Sequence, residues 1–317
     1  KLRGRIIKFN PKLVNSNRYI TLLGDGSLGG KGRGLAFLSN FIENVYLKKL
    51  IPDLHVAIPK TAVIGMNEFD NFLENNNLYD VIFEDKEYNH VLEAFRTARL
   101  SEQLRNNLRK YLQVMTKPLA VRSSGLFEDS LNQPFAGVYS TYLLPNNHPD
   151  IERRLEDVEN AIKLVFASIY SPESRAYFNA IDYMIEEEKM AVIIQEVIGN
   201  EHNGRYYPEI SGVAQSYNFY PFSYIQPEDG FAVTAIGLGA YVVGEKTHRF
   251  SPAYPKLQLA STQDKIKASQ RYFYGVNMLA QYYDLYRDGE KTGKTLPSKA
   301  ALLPPRQMAD PADESLH

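Results

Sequence analysis

Helix-patterned and strand-patterned segments are unevenly distributed along this chain of 317 residues, and their order constrains the fold more than any single motif. Up to residue 116 the apolar residues recur mainly at helical spacing. Leu35, Leu38, Ile42 and Val45 fall three and four apart after a glycine-rich stretch, which predicts a helix with one apolar face. Asn67 is placed to cap a helix carrying Phe69, Phe72 and Leu73, ended by Asn75-Asn76-Asn77. Ser101 is placed to cap another, with Leu104, Leu108, Tyr111, Leu112 and Met115 on one side. Only residues 56–58 and 61–64, either side of Pro59, read as strand in this part.

From Pro118 the texture changes. Residues 118–121 form a short apolar strand running into Arg122-Ser123-Ser124, and residues 137–144 read as its hairpin-like partner across a polar loop. A long helix opens at Pro149 or Asp150, with Leu155, Val158, Ile162, Val165, Phe166 and Ile169 as its stripe. Ser171-Pro172 opens another, with proline at the first helical position. Residues 190–198 are strongly β-branched and read as a buried strand. Residues 211–217 and 231–236 are two further strands, the second ending in Gly237-Leu238-Gly239. Residues 266–286 are predicted helical, and the tail from Leu302, with its paired prolines, reads as linker. Helices with sparse strands first and strands later predict an α+β fold of two subdomains, not a regular βαβ alternation. The expected division is 1–116, 117–260 and a C-terminal helix and tail over 261–317.

Composition removes several function classes. Lysine and arginine (36) balance aspartate and glutamate (37), for a formal net charge of −1. No basic field is present to gather nucleic acid or anionic lipid. With no cysteine, disulfides, thiolate catalysis and zinc–thiolate sites are excluded. The first ten residues lack the apolar core of a signal peptide, and no apolar run approaches the ~20 residues that cross a bilayer. The expectation is a cytoplasmic protein without nucleic-acid or membrane partners.

Four segments carry candidate chemistry. In Gly24-Asp25-Gly26-Ser27-Leu28-Gly29-Gly30-Lys31-Gly32, glycines permit close backbone approach to a phosphate and a helix N-terminus follows. The Walker A spacing fails because Gly32 follows the lysine, and a flexible surface turn is the other reading. In residues 122–130, Arg122 offers a planar fork for phosphate oxygens, with Ser123 and Ser124 beside it. Glu128 and Asp129 either orient the arginine or approach a magnesium ion; a turn held by an Arg–carboxylate pair is the alternative. Gln195, Glu196 and Val197 end the β-branched strand, where backbone polar groups suit an adenine edge between apolar side chains; a core strand reaching solvent would look the same. Gly237 and Gly239 either let backbone pass close to a ligand or make an ordinary turn.

The order and spacing of these segments resemble a known family. Gly29-Gly30-Lys31-Gly32-Arg33-Gly34-Leu35 is similar to its GGKGxxL element. Val121-Arg122-Ser123-Ser124, Glu128-Asp129, Phe135-Ala136-Gly137 and Thr141 fall at the intervals of its VRSSxxxEDxxxxxFAGxxxT signature. Val192-Ile193-Ile194-Gln195-Glu196-Val197, then Ser211-Gly212-Val213, then Gly237-Leu238-Gly239-Ala240-Tyr241-Val242-Val243-Gly244 follow its later motifs. Over residues 24–250 the chain resembles the nucleotide-binding domain shared by phosphoenolpyruvate synthase, pyruvate phosphate dikinase and rifampicin phosphotransferase.

The resemblance implies an ATP-grasp-like fold whose two subdomains clamp ATP. Lys31 and Arg122 would be the catalytic cations on the phosphates. Gly29, Gly30, Ser123, Ser124, Glu128, Asp129 and Gly137 would shape the phosphate pocket, Gln195, Glu196 and Val197 the adenine site, and Gly237 and Gly239 the close backbone approach. ATP and Mg2+ are the implied cofactors. A swivelling phosphohistidine domain and a pyruvate-binding barrel of a longer protein are the implied partners. The chain departs from the pattern where Ala240 replaces a usual glutamate and Gln215-Ser216 a usual Phe-Thr. The family's terminal Q-x-R-P motif is not found, so metal ligands stay unassigned. None of the six histidines, His248 included, has the acceptor's setting. A nucleotide-binding sensor without phosphotransfer and an ATP-grasp carboxylate–amine ligase are the alternative functions.

Overall fold

The computed structural model describes residues 6–12, 20–45, 51–84, 87–126, 128, 138–181, 183–221, 224–239, 242, 248–257, 263, 270, 273–279 and 300–303. They form a mixed α+β protein of two compact units, one running through Val197 and the other beginning at Ile198. The expected boundary at 116/117 instead falls inside the first unit. The strand that follows it is hydrogen-bonded into the same sheet as strands that precede it.

That sheet has six strands: β1 (Ile6–Lys8), β2 (Ile20–Leu22), β3 (Thr61–Ile64), β4 (Leu119–Gly125), β5 (Thr141–Leu144) and β6 (Met190–Glu196). Their order is β1-β2-β3-β6-β4-β5. The first three are parallel, and β6 and β4 run antiparallel to their neighbours. Alternate residues explain the unbroken apolar run of β6. Val192 and Ile194, with Ala62, Ile64, Leu119 and Val121, enter the main core. Ala191 and Ile193, with Ile20 and Val63, enter a smaller cluster on the other face. A strand buried on both faces needs no polar alternation. Each fully buried Ile or Val contributes about 1.5–3 kcal/mol.

The main core is closed by helices α2 (Met66–Asn75), α3 (Tyr79–Glu84), α4 (Tyr88–Thr97), α5 (Glu102–Val114), α6 (Ile151–Ala167) and α7 (Pro172–Ala180). Three of the predicted caps are present. Ser101 accepts from Leu104 N–H, Asp150 from Glu152 N–H and Ser171 from Ser174 N–H. Asn67 does not cap α2, whose N-cap is Gly65. The carbonyls at the end of α5 are met by Arg154, which donates to Leu112 and Met115, and by buried Asn146, which donates to Met115 and Lys117. These bonds fix the entry of the chain into β4.

Helix α1 (Gly29–Asn44) lies on the other face, with Leu28, Leu35 and Ala36 packed against the smaller cluster. Its apolar face is displaced from the expected one. Leu38 is exposed, along with Phe37 and Phe41, whereas Gly32 and Ser39 are buried.

The second unit holds two antiparallel sheets. One, in the order β11-β10-β9, comprises β9 (Ile210–Gln215), β10 (Phe231–Ile236) and β11 (His248–Phe250). The other, in the order β13-β12-β8-β7, comprises β7 (Asn200–His202), β8 (Arg205–Tyr207), β12 (Phe273–Asn277) and β13 (Ala300–Leu303).

Three expectations are corrected. Residues 56–58 are not strand; Val56 is exposed and has no sheet to join. The helix expected over 266–286 is replaced at its centre by β12, where Gly275 weakens a helix and buried Phe273 and Val276 favour a sheet; most of the rest of that range lies outside the described residues. The linker expected from Leu302 begins in a strand, with Leu302 and Leu303 paired to Tyr274 and Phe273.

Candidate functional site

The glycine loop and the end of β4 meet in the first unit. Gly29 has φ +71, and a Cβ there would strike the Ser124 backbone. A Cβ on Gly30 would strike the Glu128 carbonyl. Only glycines let the first turn of α1 sit this close to β4. The Ser124 hydroxyl joins the two segments, accepting from Gly32 N–H at 2.9 Å and donating to Leu28 C=O at 2.7 Å. One side chain thus bridges the carbonyl of residue 28 and the N–H of residue 32, the positions of the first i to i+4 pair of the helix.

Lys31 projects from that first turn to Glu128. Its ammonium donates to the Glu128 carboxylate and approaches the Ser123 hydroxyl at 3.4 Å and carbonyl at 3.5 Å. Glu128 is 4% exposed, and both its oxygens are engaged. Oε1 accepts from Ser123 Oγ at 2.8 Å, and Oε2 from Gly125 N–H at 2.9 Å. The carboxylate therefore folds the chain after β4 back over the strand and fixes the lysine.

Arg122 is paired in register with Thr141 and Ile193. Strand alternation puts it on the face of Ser124 and Ile193, the face that carries α1. It makes no hydrogen bond or ion pair among the described residues. The two segments thus carry two cations, Lys31 clamped to a carboxylate beside Ser123 and Arg122 unpaired among the described residues. The expected placement of Lys31 and Arg122 on separate subdomains is corrected, since both belong to the first unit.

The remaining predicted residues are placed differently. The Gln195 amide donates to Thr61 Oγ1 at 2.9 Å. Glu196 is buried and paired with Lys117 at 2.8 Å. The Glu196 and Val197 N–H groups are bonded to the Lys60 and Pro118 carbonyls, both at 2.9 Å. Gly237 and Gly239 belong to the second unit. Gly237 has φ +79 and packs against Phe273 and Tyr274 of β12, so its close approach is to protein. Around Gly239 a Cβ would meet only ordinary contacts. Asp129, Gly137 and Ala240 lie outside the described residues.

Glu188 was not singled out from the sequence, where it sits in the charged run Glu186-Glu187-Glu188-Lys189. It is buried, accepts from Leu126 N–H at 3.0 Å, and lies against Gly125. Burial first, then the Glu188 charge and hydrogen bond, push the Tyr139 phenol far above its ordinary range. Glu188 thereby braces the start of the segment that carries Glu128. No helix among the described residues is long and apolar enough to cross a membrane.

Residues 25–284 match the family described as the pyruvate phosphate dikinase AMP/ATP-binding domain. A phosphotransferase of Bacillus subtilis, YvkC, described as uncharacterized, is 26% identical over 149 residues, 47% of this chain and 17% of that protein. The phosphoenolpyruvate synthase of Aeropyrum pernix is 28% identical over 129 residues, 40% of this chain and 13% of that protein. The matched region thus spans less than a fifth of either relative's length. The matched family segment contains the α1 first turn, β4 and the Lys31–Glu128 pair, and the chain belongs to the pyruvate phosphate dikinase AMP/ATP-binding domain family.

Proposed function

We propose that this chain is the ATP-binding part of a phosphoenolpyruvate synthase-like (pyruvate, water dikinase) phosphotransferase, and that the α1 N-terminus, Lys31 and Arg122 hold the nucleotide's phosphates. The observation that carries the reading is Arg122, a cation with no partner among the described residues, on the strand face where Ser124, two residues on, bonds a glycine-built helix start. A helix N-terminus favours anions, and an unpaired guanidinium suits phosphate oxygens. Neutralising phosphate charge and fixing geometry is most of what phosphoryl transfer asks of a protein. Ser123, Ser124, Gly29, Gly30 and Glu128 are assigned to shaping this pocket, together with Asp129 and Gly137. Glu128 positions Lys31 until phosphate competes for it.

Gln195, Glu196 and Val197 are assigned to the adenine. They stand at and just beyond the end of β6. An ATP-grasp-like clamp, to which Gly237 and Gly239 would contribute close backbone, belongs to the same proposal. So do transfer of phosphate to a histidine on a separate swivelling domain and a pyruvate-binding barrel elsewhere in a longer protein. For magnesium, the described residues contain no group of three His, Asp or Glu able to hold a metal, and both Glu128 oxygens are already engaged. Magnesium held with a nucleotide takes only one or two carboxylates beside the phosphates, and Asp129 lies outside the described residues, so the neutralisation assigned here rests on Lys31 and Arg122.

Calorimetric titration with ATP tests the phosphate assignment. Arg122→Ala leaves no buried partner behind, and its affinity is expected to fall about tenfold or more, at least ~1.4 kcal/mol. An unchanged affinity removes Arg122 from the site. In the longer protein, labelled ATP is expected to leave acid-labile label on a histidine; nucleotide binding with no such label would favour the sensor alternative.

A further inference from the structure

The second unit contains a built cavity of about 290 Å3 that the nucleotide assignment does not use. Its wall begins with the segment after β9. Asn218 N–H donates to Pro227 C=O at 2.7 Å, and Asn218 Oδ1 accepts from Tyr220 N–H at 3.1 Å. Gln226 and Asp229 close a capping box, and Gly230 turns the chain into β10 with φ +63. The segment is held by its own backbone bonds.

Arg249 of β11 reaches into this frame. Its guanidinium carbon lies 3.7 Å from the Phe231 ring centroid, and its Nη2 donates to Asn218 Oδ1. No carboxylate pairs with it among the described residues, and none of the lining residues is acidic. Ser251 is 3% exposed, and its Oγ has no hydrogen-bond partner among the described residues. Phe250 and buried Ile225 supply apolar wall, and Tyr220, 80% exposed, stands at the rim.

A purely structural arginine would need Phe231 and Asn218 but not an adjoining cavity. An unsatisfied buried hydroxyl is destabilising, and a ligand able to accept from it would offset that cost. The amide oxygen in the lining, Asn218 Oδ1, is already taken by Tyr220 N–H and Arg249, and a lining of donors with no carboxylate favours an anion. One guanidinium balances one charge, so a carboxylate is compensated where a phosphate dianion is not. The volume and aromatic wall suit a flat body of roughly one ring.

We propose that this cavity binds a small planar organic carboxylate, its charge on Arg249 and its ring against the Phe231–Phe250 wall. The test uses benzoate as probe and benzyl alcohol as its uncharged counterpart, by saturation-transfer NMR and calorimetry on the whole chain. Benzoate is expected to bind saturably below about 10 mM, with benzyl alcohol about tenfold weaker. Arg249→Lys keeps the charge but loses the fork, and is expected to weaken benzoate about tenfold. Ser251→Ala is expected to weaken it several-fold, and decides the matter if the arginine variant does not fold. The proposal is overturned by no saturable benzoate binding, by equal affinity for the alcohol, by an affinity unchanged in the folded variants, or by displacement of benzoate with ATP.

Discussion

Lys31 and Glu128 form a pair in which neither side chain can be removed alone without cost. The lysine side chain is 25% exposed, whereas the carboxylate is almost sealed from solvent. Deleting the cation strands a buried charge, a more severe change than losing the attraction. Lys31→Met is therefore expected to destabilise the chain by about 2–4 kcal/mol, and adding Glu128→Gln to recover most of it. Urea unfolding of the single and double variants measures this. A double variant as unstable as the single one would place the loss elsewhere. These residues were legible in the sequence as a group because lysine, arginine, hydroxyl and carboxylate types cluster after glycines. Their division of labour was not. Strand alternation sends Ser123 and Ser124 to opposite faces, so Ser124 bonds α1 while Ser123 bonds Glu128. Glu188 was illegible because a buried carboxylate in a run of glutamates has no signature until the tertiary fold covers it.

At the scale of elements, α1 contains glycines that look alike in sequence and differ in the structure. Gly30 faces the Glu128 carbonyl with no room for a methyl group, whereas Gly34 has nothing within 4 Å of an added Cβ. Gly34→Ala is expected to raise stability by about 0.5–1 kcal/mol, from helix propensity and a less flexible unfolded chain. Gly30→Ala is expected to lower the thermal midpoint and weaken ATP together, because the helix start must move off β4. Paired melting curves and ATP titrations of the two variants check this; equal behaviour of the two would mean the close approach is not needed. Capped and strongly periodic helices such as α5 and α6 were readable from local chemistry alone. The β7–β8 hairpin also carries a local signal: Asn203-Gly204, with φ +49 and +74, is the two-residue turn that such a ribbon prefers. β12 and β13 were unreadable for another reason. Their pairing joins segments far apart in sequence, and short apolar runs do not declare their period.

Across the whole molecule, tyrosine supplies much of the large aromatic volume in a chain with 22 tyrosines and no tryptophan, and this gives the first unit an alkaline limit. Burial is the leading cause that pushes the phenols of Tyr88, Tyr111, Tyr139 and Tyr170 well above their ordinary value of 10.0. All four belong to the unit that ends at Val197. At neutral pH these phenols are protonated whether the chain is folded or not, so their contribution is fully present. Above about pH 10 the unfolded chain releases protons that the folded one keeps, and stability falls by about 1.4 kcal/mol per pH unit for each such group. Four groups together make the loss steep enough to exhaust an ordinary domain's stability within one to two units. Ionisation of these tyrosines, followed by ultraviolet absorbance, is therefore expected to coincide with loss of far-ultraviolet circular dichroism above pH 10. Replacing Tyr139 by Phe removes one of the four groups and should shift that transition to higher pH. Complete tyrosine ionisation near pH 10 with the circular dichroism intact would show that the four phenols are not shielded by the core that α5, α6 and the six-stranded sheet build around them.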